Sequence, residues 1–329
     1  MQIQPTTRRE FLKSTGAGLS AACLAANFPA LARASKAPRG KAEHCILIWL
    51  GGGAAQIDTW DPKQLGDAKA RKPGSFYKSI DTAIPGVQVC EHLKHCAPIL
   101  DRFNIVRTVH HDVIDEHARA VNQVHTGRPT SGTIIYPSIG SIVAHERGPA
   151  GDKVPAYVVI GYPNVARGPG FLGTQYSYMY LLDTKAGPAG LKRPDHVGGD
   201  RQARRERLLK LAREQYVDQH QADRLVASYD ATIAESLRLA GPEFMNIFQL
   251  DKEPAELRNA YGSEFGQRLL LSRRLAESGV RFIEVSHNLN FVNGTGWDTH
   301  NEGQLKQHEL IQDLDQSLAT LVLDLEEKK

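Results

Sequence analysis

The sequence predicts an α/β fold, a doubly wound and mostly parallel sheet in an αβα sandwich. Four short runs, at 44–50, 104–109, 156–160 and 280–286, are apolar almost throughout and rich in β-branched residues. Strands buried on both faces of a parallel sheet have this pattern. Helical stretches separate the runs, and a chain of 329 residues is long enough to bury a large core.

The helices between these strands are predicted from apolar periodicity. They are expected at 91–102, 115–126, 137–146, 201–239 and 254–278. Gly127 follows the second of them, where a glycine commonly ends a helix. The range 161–262 starts with a segment rich in Gly, Pro and Tyr and continues into a heavily charged helical stretch. We expect this range to be a cap or insertion within one domain that spans 35–329.

The last 25 residues predict an amphipathic helix. The apolar positions 311, 314, 318, 321, 322 and 325 of the range 305–329 fall on one helical face. The chain then ends at Glu-Glu-Lys-Lys, with neither a glycine cap nor a following strand. A doubly wound domain seldom ends on a helix that leads toward a further strand. We therefore expect a fold truncated at its C-terminus.

The N-terminus has the pattern of a twin-arginine signal peptide over 1–34. Arg8 and Arg9 precede Phe-Leu-Lys, a weakly apolar segment follows, and a small-x-small cleavage site ends at Ala34. We therefore expect the twin-arginine translocase to export the folded protein to the periplasm or the extracellular space. A basic tail is the alternative interpretation of the same residues.

Charge and hydropathy argue against nucleic acid as a partner and against a transmembrane segment. Residues 1–34 hold four of the 40 Lys and Arg and one of the 37 Asp and Glu, so the remainder is neutral overall. A neutral surface gives no reason to expect nucleic acid. No apolar run reaches about 18 residues, so no transmembrane segment is expected. Three cysteines follow the leader, and either a Cys90–Cys96 bridge or buried thiols would suit them.

Carboxylates and imidazoles follow three of the predicted strands. In open α/β sheets, ligands bind at the carboxyl ends of the strands. The first strand is followed by Gly51, Gly52, Gly53, Asp58 and Asp61; the second by His110, His111, Asp112, Asp115, Glu116 and His117; the fourth by His287, Asn288, Asn290, Asn293, Asp298 and His300. The sequence therefore places one mixed Asp and His set at one edge of the sheet.

Such a mixed set predicts a site for zinc, manganese or iron rather than calcium, which prefers oxygen ligands alone. Asp298 and His300 form the best local pair of metal ligands, and Asp58 is the third candidate. Asp58 could instead brace the loop around Trp60. The three glycines lack the spacing of a dinucleotide-binding loop and could simply form a tight turn.

Taken together, these motifs resemble the family known as domain of unknown function 1501. The resemblance rests on the leader, GGGAAQIDTWDPK, EHARAVNQVHTGRP and GWDTHNEG. It implies an alkaline phosphatase-like or sulfatase-like αβα sandwich, with Asp58, Asp298 and His300 as metal ligands. That superfamily places a Ser, Thr or modified Cys nucleophile at a helix start before a Thr-Gly pair, and His117 occupies this position here. Later family motifs resembling GEFGRTP and GRDH are absent from the chain.

Two hypotheses of function follow from these residues. The first is a metal-dependent hydrolase of phosphate or sulfate esters that uses zinc or manganese. In it His117 is a nucleophile or a ligand, and Arg128 contacts a small anionic ester. The alternative is a non-catalytic exported protein with an incomplete metal site, which binds glycans or partner proteins through its Tyr-rich cap. A dinucleotide oxidoreductase would need a phosphate-binding loop that the sequence lacks.

Overall fold

Six strands are present among the described residues of the computed structural model. They are β1 (Cys45–Trp49), β2 (Ser79–Asp81), β3 (Gln88–Cys90), β4 (Tyr157–Ile160), β5 (Met179–Leu181) and β6 (Phe282–Ser286). The structure describes residues 40–185, 187–188, 191, 196–220, 223–289 and 294–328. All six strands lie in one unit, 44–329. The predicted signal peptide, 1–34, lies outside the described residues, as do Asn290 and Asn293.

The central sheet has the strand order β1-β6-β4-β5, and all three strand pairs are parallel. Alternate side chains of its strands point to opposite faces. Val158, Ile160, Ile283 and Val285 join the larger apolar core, whereas Tyr157, Val159 and Phe282 join a smaller core on the other face. Every residue of β4 and β6 is buried. These strands are therefore covered on both faces, as their continuous apolar runs predict.

Eight α-helices surround the strands in the described part of the chain. They are α1 (His117–Thr126), α2 (Ile139–Arg147), α3 (Gly199–Gln219), α4 (Arg224–Leu239), α5 (Pro242–Met245), α6 (Ala255–Tyr261), α7 (Glu264–Glu277) and α8 (Gln307–Glu327). Helix α7 packs with the larger core and α2 with the smaller one. Helices therefore lie on both faces of a parallel sheet, and the mixed α/β class is confirmed.

Short 3₁₀ helices complete the described elements. They span Gln56–Asp58, Ala97–Arg102, Val165–Arg167, Gly170–Leu172, Thr174–Tyr176, Asn246–Phe248, Leu250–Lys252 and Asn301–Lys306. The predicted helix at 91–102 is thus a 3₁₀ helix over its second half only. Asp315 of α8 accepts hydrogen bonds from the backbone nitrogens of His95 and Cys96, at 2.7 Å each, and so fixes the entry into that segment.

Three of the four predicted strands are confirmed, and the one at 104–109 is wrong. That segment is irregular and leaves Val106 and Val109 67% and 80% exposed. Arg107 in its middle donates hydrogen bonds to the carbonyl oxygens of Trp60 and Gln88. A charged side chain with these partners holds the segment on the surface, where its apolar neighbours have no sheet to join.

The range 161–262, predicted as a cap or insertion, contributes a strand to the central sheet. Its residues Met179–Leu181 form β5, which pairs with β4 at the edge of the central sheet. A strand of three residues in a Tyr-rich segment leaves no periodicity to detect. The other unpredicted strands, β2 and β3, form a separate antiparallel pair.

Helix boundaries follow local capping signals. The predicted helix at 115–126 is present as α1, and Gly127 ends it with φ 66°. The predicted helix at 254–278 is two helices, because Gly262 adopts φ 76° between them. The stretch 201–239 is likewise divided, with Asp223 capping α4 by accepting a hydrogen bond from the Leu225 nitrogen.

The predicted C-terminal helix is present as α8, and its apolar face is buried at Ile311, Leu314 and Leu321. In the described part of the chain, no helix combines the length and the apolar character needed to cross a membrane. The three described cysteines are free thiols, with Cys90 and Cys96 buried and Cys45 exposed.

Candidate metal centre

The loops that follow β1 and β6 meet at the carboxyl edge of the sheet. Strand β1 leads into Gly51–Gly53, and β6 leads toward the loop that carries Asp298 and His300. Gly52 has φ 129°, and a Cβ atom built on it would lie 2.8 Å from the Asp298 Cβ. Only glycine allows this approach, so the Gly51–Gly53 loop shapes the position of Asp298.

Two imidazoles converge on the Asp298 carboxylate. The Nε2 atom of His300 lies 2.9 Å from Asp298 Oδ1, and Nε2 of His117 lies 3.3 Å from the same oxygen. One potential ligand atom of each side chain lies within 4.8 Å of the others. Within the described ranges, no other three His, Cys, Asp or Glu side chains meet this criterion. The structure thus brings together His117, Asp298 and His300.

The carboxylate of Asp298 is held from its other side. Its Oδ2 atom accepts a hydrogen bond of 2.6 Å from the Gly294 nitrogen, which turns Oδ1 toward the histidines. Burial alone would raise the pKa of Asp298, but the Gly294 amide, His117 and His300 outweigh it and lower that pKa. The carboxylate therefore stays ionised, as a metal ligand must be.

His117 is the first residue of α1, and the turn before it is unusual. Asp115 has φ 58°, a left-handed conformation that is uncommon for a residue other than glycine. Glu116 then caps the helix, because its carboxylate accepts hydrogen bonds from the nitrogens of Ala118 and Arg119. This sharp entry sets the direction of the His117 side chain toward Asp298.

The loop that carries Asp298 is anchored by its neighbour Trp297. This side chain is fully buried, and its ring packs edge to face against His287, with 5.4 Å between ring centroids. His287 in turn lies directly after β6, with Nε2 3.2 Å from Oδ2 of Asp313 on α8. The loop is therefore fixed by both the sheet and the last helix.

The donor set fits a divalent cation. Two imidazole nitrogens and one carboxylate oxygen suit zinc or manganese. Zinc at about 2.1 Å from each ligand requires ligand atoms about 3.4 Å apart, close to the two short distances found here. The side chains of His117 and His300 are 40% and 51% exposed, so the cluster is open to solvent. Three protein ligands with an open position are typical of catalytic zinc sites.

Two other predicted site residues lie outside this cluster. Asp58 is buried, and its Oδ1 accepts a hydrogen bond of 2.6 Å from the Phe76 nitrogen. That contact braces a loop, which was the alternative interpretation of Asp58, and its ligand role stays a prediction. Arg128 is exposed at the end of α1, with its guanidinium carbon 6.0 Å from the centre of the Tyr136 ring. His110 and His111 are exposed in the loop before α1.

A buried charged network beneath α1 was missed from the sequence. Glu284, in the middle of β6, is fully buried and contacts His125, Arg167 and Tyr157. Burial would raise the pKa of Glu284, but His125 and Arg167 outweigh this effect and lower it. The signal was a glutamate in the middle of a strand that was predicted to be buried, since a buried carboxylate requires partners.

Comparison with known proteins yields one family. No curated protein and no solved structure matches the chain. The sequence model of a family described as "Protein of unknown function (DUF1501)" matches residues 42–329, which include every strand and helix described above. On the strength of that match, this protein belongs to the DUF1501 family.

Proposed function

We propose that this protein is an exported, metal-dependent hydrolase of phosphate or sulfate esters, related to the alkaline phosphatase and sulfatase-like superfamily. The observation that carries the proposal is the cluster of His117, Asp298 and His300, whose ligand atoms lie within 4.8 Å of one another. Zinc or manganese fits these ligands. The predicted leader supports export by the twin-arginine translocase.

Within this proposal, the cluster is a preorganised binding site. A divalent cation held there supplies Lewis-acid polarisation of an ester oxygen. Asp298 provides the negative charge of the site, and the Gly294 amide keeps its carboxylate oriented. His117 is assigned as a ligand rather than a nucleophile, because its Nε2 faces the Asp298 carboxylate. Arg128 is exposed and remains the proposed contact for an anionic substrate.

A second candidate function is a non-catalytic exported binding protein. Two observations favour it. No Ser, Thr or Cys begins α1, and the Glu116 carboxylate occupies the Ala118 and Arg119 amides that could otherwise bind an anion. Such a protein would hold the cation for structure or for recognition of a partner.

Equilibrium zinc and manganese binding to the full chain tests the metal site. The variants are His117→Ala, Asp298→Ala and His300→Ala, with His110→Ala as a matched control, because His110 is an exposed histidine outside the cluster. We expect the three cluster variants to bind zinc at least tenfold more weakly than wild type. Unchanged metal affinity in all three would end the proposal.

Activity separates the two candidate functions. Zinc- and manganese-loaded wild type is assayed against an aryl phosphate and an aryl sulfate. The hydrolase proposal expects turnover that the Asp298→Ala variant loses. Tight metal binding by wild type without turnover of either ester would favour the non-catalytic alternative.

A further inference from the structure

Helix α1 carries His117 at one end and is attached to the protein mainly at the other. Of its ten residues, His125 is the one that is buried. The His125 side chain is 1% exposed, whereas that of His117 is 40% exposed. The helix therefore lies on the surface and reaches the interior through one imidazole near its C-terminus.

This imidazole contacts a carboxylate in the centre of the sheet. Its Nε2 lies 3.1 Å from Oε1 of Glu284, and its Nδ1 lies 2.8 Å from the carbonyl oxygen of Val121. The ionised carboxylate of Glu284 is an acceptor, so the ring nitrogen that faces it donates the hydrogen bond. The anchor of α1 is thus a buried, charge-assisted hydrogen bond, which is directional in a way that apolar packing is not.

Glu284 also has hydrogen-bond partners that do not belong to α1. Nε of Arg167 donates to its Oε1 at 2.5 Å, and the Tyr157 hydroxyl donates to its Oε2 at 3.2 Å. Arg167 also donates to the Ser286 hydroxyl and the Tyr162 carbonyl oxygen. The carboxylate is therefore a fixed point of the sheet, and α1 is the element that its bond to His125 restrains.

The same imidazole also contacts the strand that leads to the metal cluster. The rings of His125 and Trp49 pack edge to face, with 4.6 Å between their centroids. Trp49 ends β1, and its indole lies against Gly51, next to the Gly52 that packs on Asp298. Through Trp49, His125 thus links α1, which carries His117, to the loop that shapes the position of Asp298.

We propose that Glu284, acting through His125, is a positioning residue that keeps His117 beside Asp298. The inference rests on the proposed metal site. It states that the contact of Glu284 with His125 raises the affinity of that site for its metal. A purely structural role for Glu284 would lower stability but would not act specifically on the ligand that α1 carries.

A double-mutant cycle distinguishes these roles. Zinc affinity of the full chain is measured for Glu284→Gln and His125→Gln, each with and without His117→Ala. We expect either substitution to weaken zinc binding about tenfold, the effect typical of a lost outer-shell partner, and to have almost no effect once His117 is removed. Equal weakening in both backgrounds, or no weakening in the presence of His117, would overturn the proposal.

The cycle has a control variant and a fallback in case one variant does not fold. Tyr157→Phe removes another partner of Glu284 without touching α1, and we expect its zinc affinity to stay within twofold of wild type. If Glu284→Gln fails to fold, His125→Gln alone completes the cycle, since it leaves the Arg167 bond to Glu284 in place.

Hydrogen exchange in metal-free protein gives a readout that does not depend on the proposed function. We expect His125→Gln to speed exchange of the α1 amides several-fold while the α2 amides keep their rates. If wild type binds no zinc, the proposed function fails, and this measurement alone decides whether His125 anchors α1. Unchanged exchange in α1 would overturn the anchoring.

Discussion

Gly52 and Asp298 are distant in the sequence, yet their backbones touch. A Cβ atom on Gly52 would lie 2.8 Å from the Trp297 carbonyl carbon and closer still to the Asp298 nitrogen. The glycine loop after β1 is therefore a wall of the candidate metal centre. The glycine run, which lacks the spacing of a dinucleotide-binding loop, packs against a candidate metal ligand.

Substitution of Gly52 tests this contact. We expect Gly52→Ala to lower the free energy of unfolding by about 1 to 3 kcal/mol more than Gly53→Ala does, because of overpacking, and to abolish zinc binding. Gly53 is the matched control, since it also has a positive φ, 144°, but its Cβ would meet no atom within 4 Å. Denaturant unfolding and zinc titration measure both effects. Equal losses in the two variants would mean that strain at positive φ, rather than contact with Asp298, dominates.

The Glu116 carboxylate accepts hydrogen bonds from two amides at the start of α1. We expect Glu116→Ala to cost about 1 kcal/mol of stability, as loss of an N-cap does. It should also strengthen inorganic phosphate binding to the zinc-loaded protein about tenfold, because two amides and their positive dipole become available. Calorimetry with phosphate measures the second effect.

The control for Glu116 is a cap elsewhere in the chain. Asp223 caps α4, because its carboxylate accepts a hydrogen bond of 2.8 Å from the Leu225 nitrogen. The variant Asp223→Ala removes this cap. We expect a similar loss of stability and unchanged phosphate affinity. Phosphate affinity that does not respond to Glu116→Ala would show that the start of α1 does not face the ligand.

Arg273 is the centre of a buried ion-pair network away from the metal cluster. Its 1% exposed side chain contacts Asp324 at 3.0 Å and Glu253 and Glu277 at 2.8 Å each. We expect Arg273→Met to lower the free energy of unfolding by about 3 to 5 kcal/mol, because buried carboxylates lose their partner. Arg102→Met, at an exposed ion pair with Asp101, should have a much smaller effect on stability. Similar effects of the two substitutions would contradict this account.

The same network predicts a pH dependence. Burial would raise the pKa of Glu253, but Arg273 and Arg274 outweigh it, so its pKa lies below the ordinary value of 4.5. The unfolded chain therefore takes up the proton first as the pH falls. This contribution to stability is complete above pH 4.5 and is lost as the pH falls through the lower, folded pKa.

Unfolding at pH 6 and pH 3.5 measures this contribution in wild type and Arg273→Met. We expect the variant to lose less stability than wild type between these pH values, because Glu253 has lost one of its two arginine partners. Carboxylates outside the network contribute equally to the pH dependence of both proteins, so their contribution cancels in the comparison. An identical loss in both would remove Glu253 from the explanation.

Prediction from the sequence was best where the chemistry is local. The runs that became β4 and β6 are apolar because both of their faces are covered, and Gly127 ends α1 through its own backbone freedom. The strand predicted at 104–109 was wrong because apolar content does not indicate whether a neighbouring strand is available for pairing. Strand β5 was missed because three residues carry no periodic signal.

For the candidate site, residue types and the end of β6 were sufficient to select Asp298 and His300. His117 was selected from the family resemblance and from a strand at 104–109 that the structure does not contain. The ligand role of Asp58 stays a prediction. The carboxylate of Asp58 is committed to the Phe76 nitrogen, a contact that no local pattern encodes. Glu284 was overlooked for a related reason, since its partners His125 and Arg167 come from distant segments.

By itself, the sequence determined the α/β class, most helix boundaries and the supply of imidazoles and carboxylates to one edge of the sheet, because backbone periodicity and capping act over a few residues. The tertiary structure alone decided which of these side chains meet. Loops have no such periodicity, and their paths depend on long-range contacts such as that of Gly52 with Asp298. A candidate metal centre assembled from loops is therefore a product of packing.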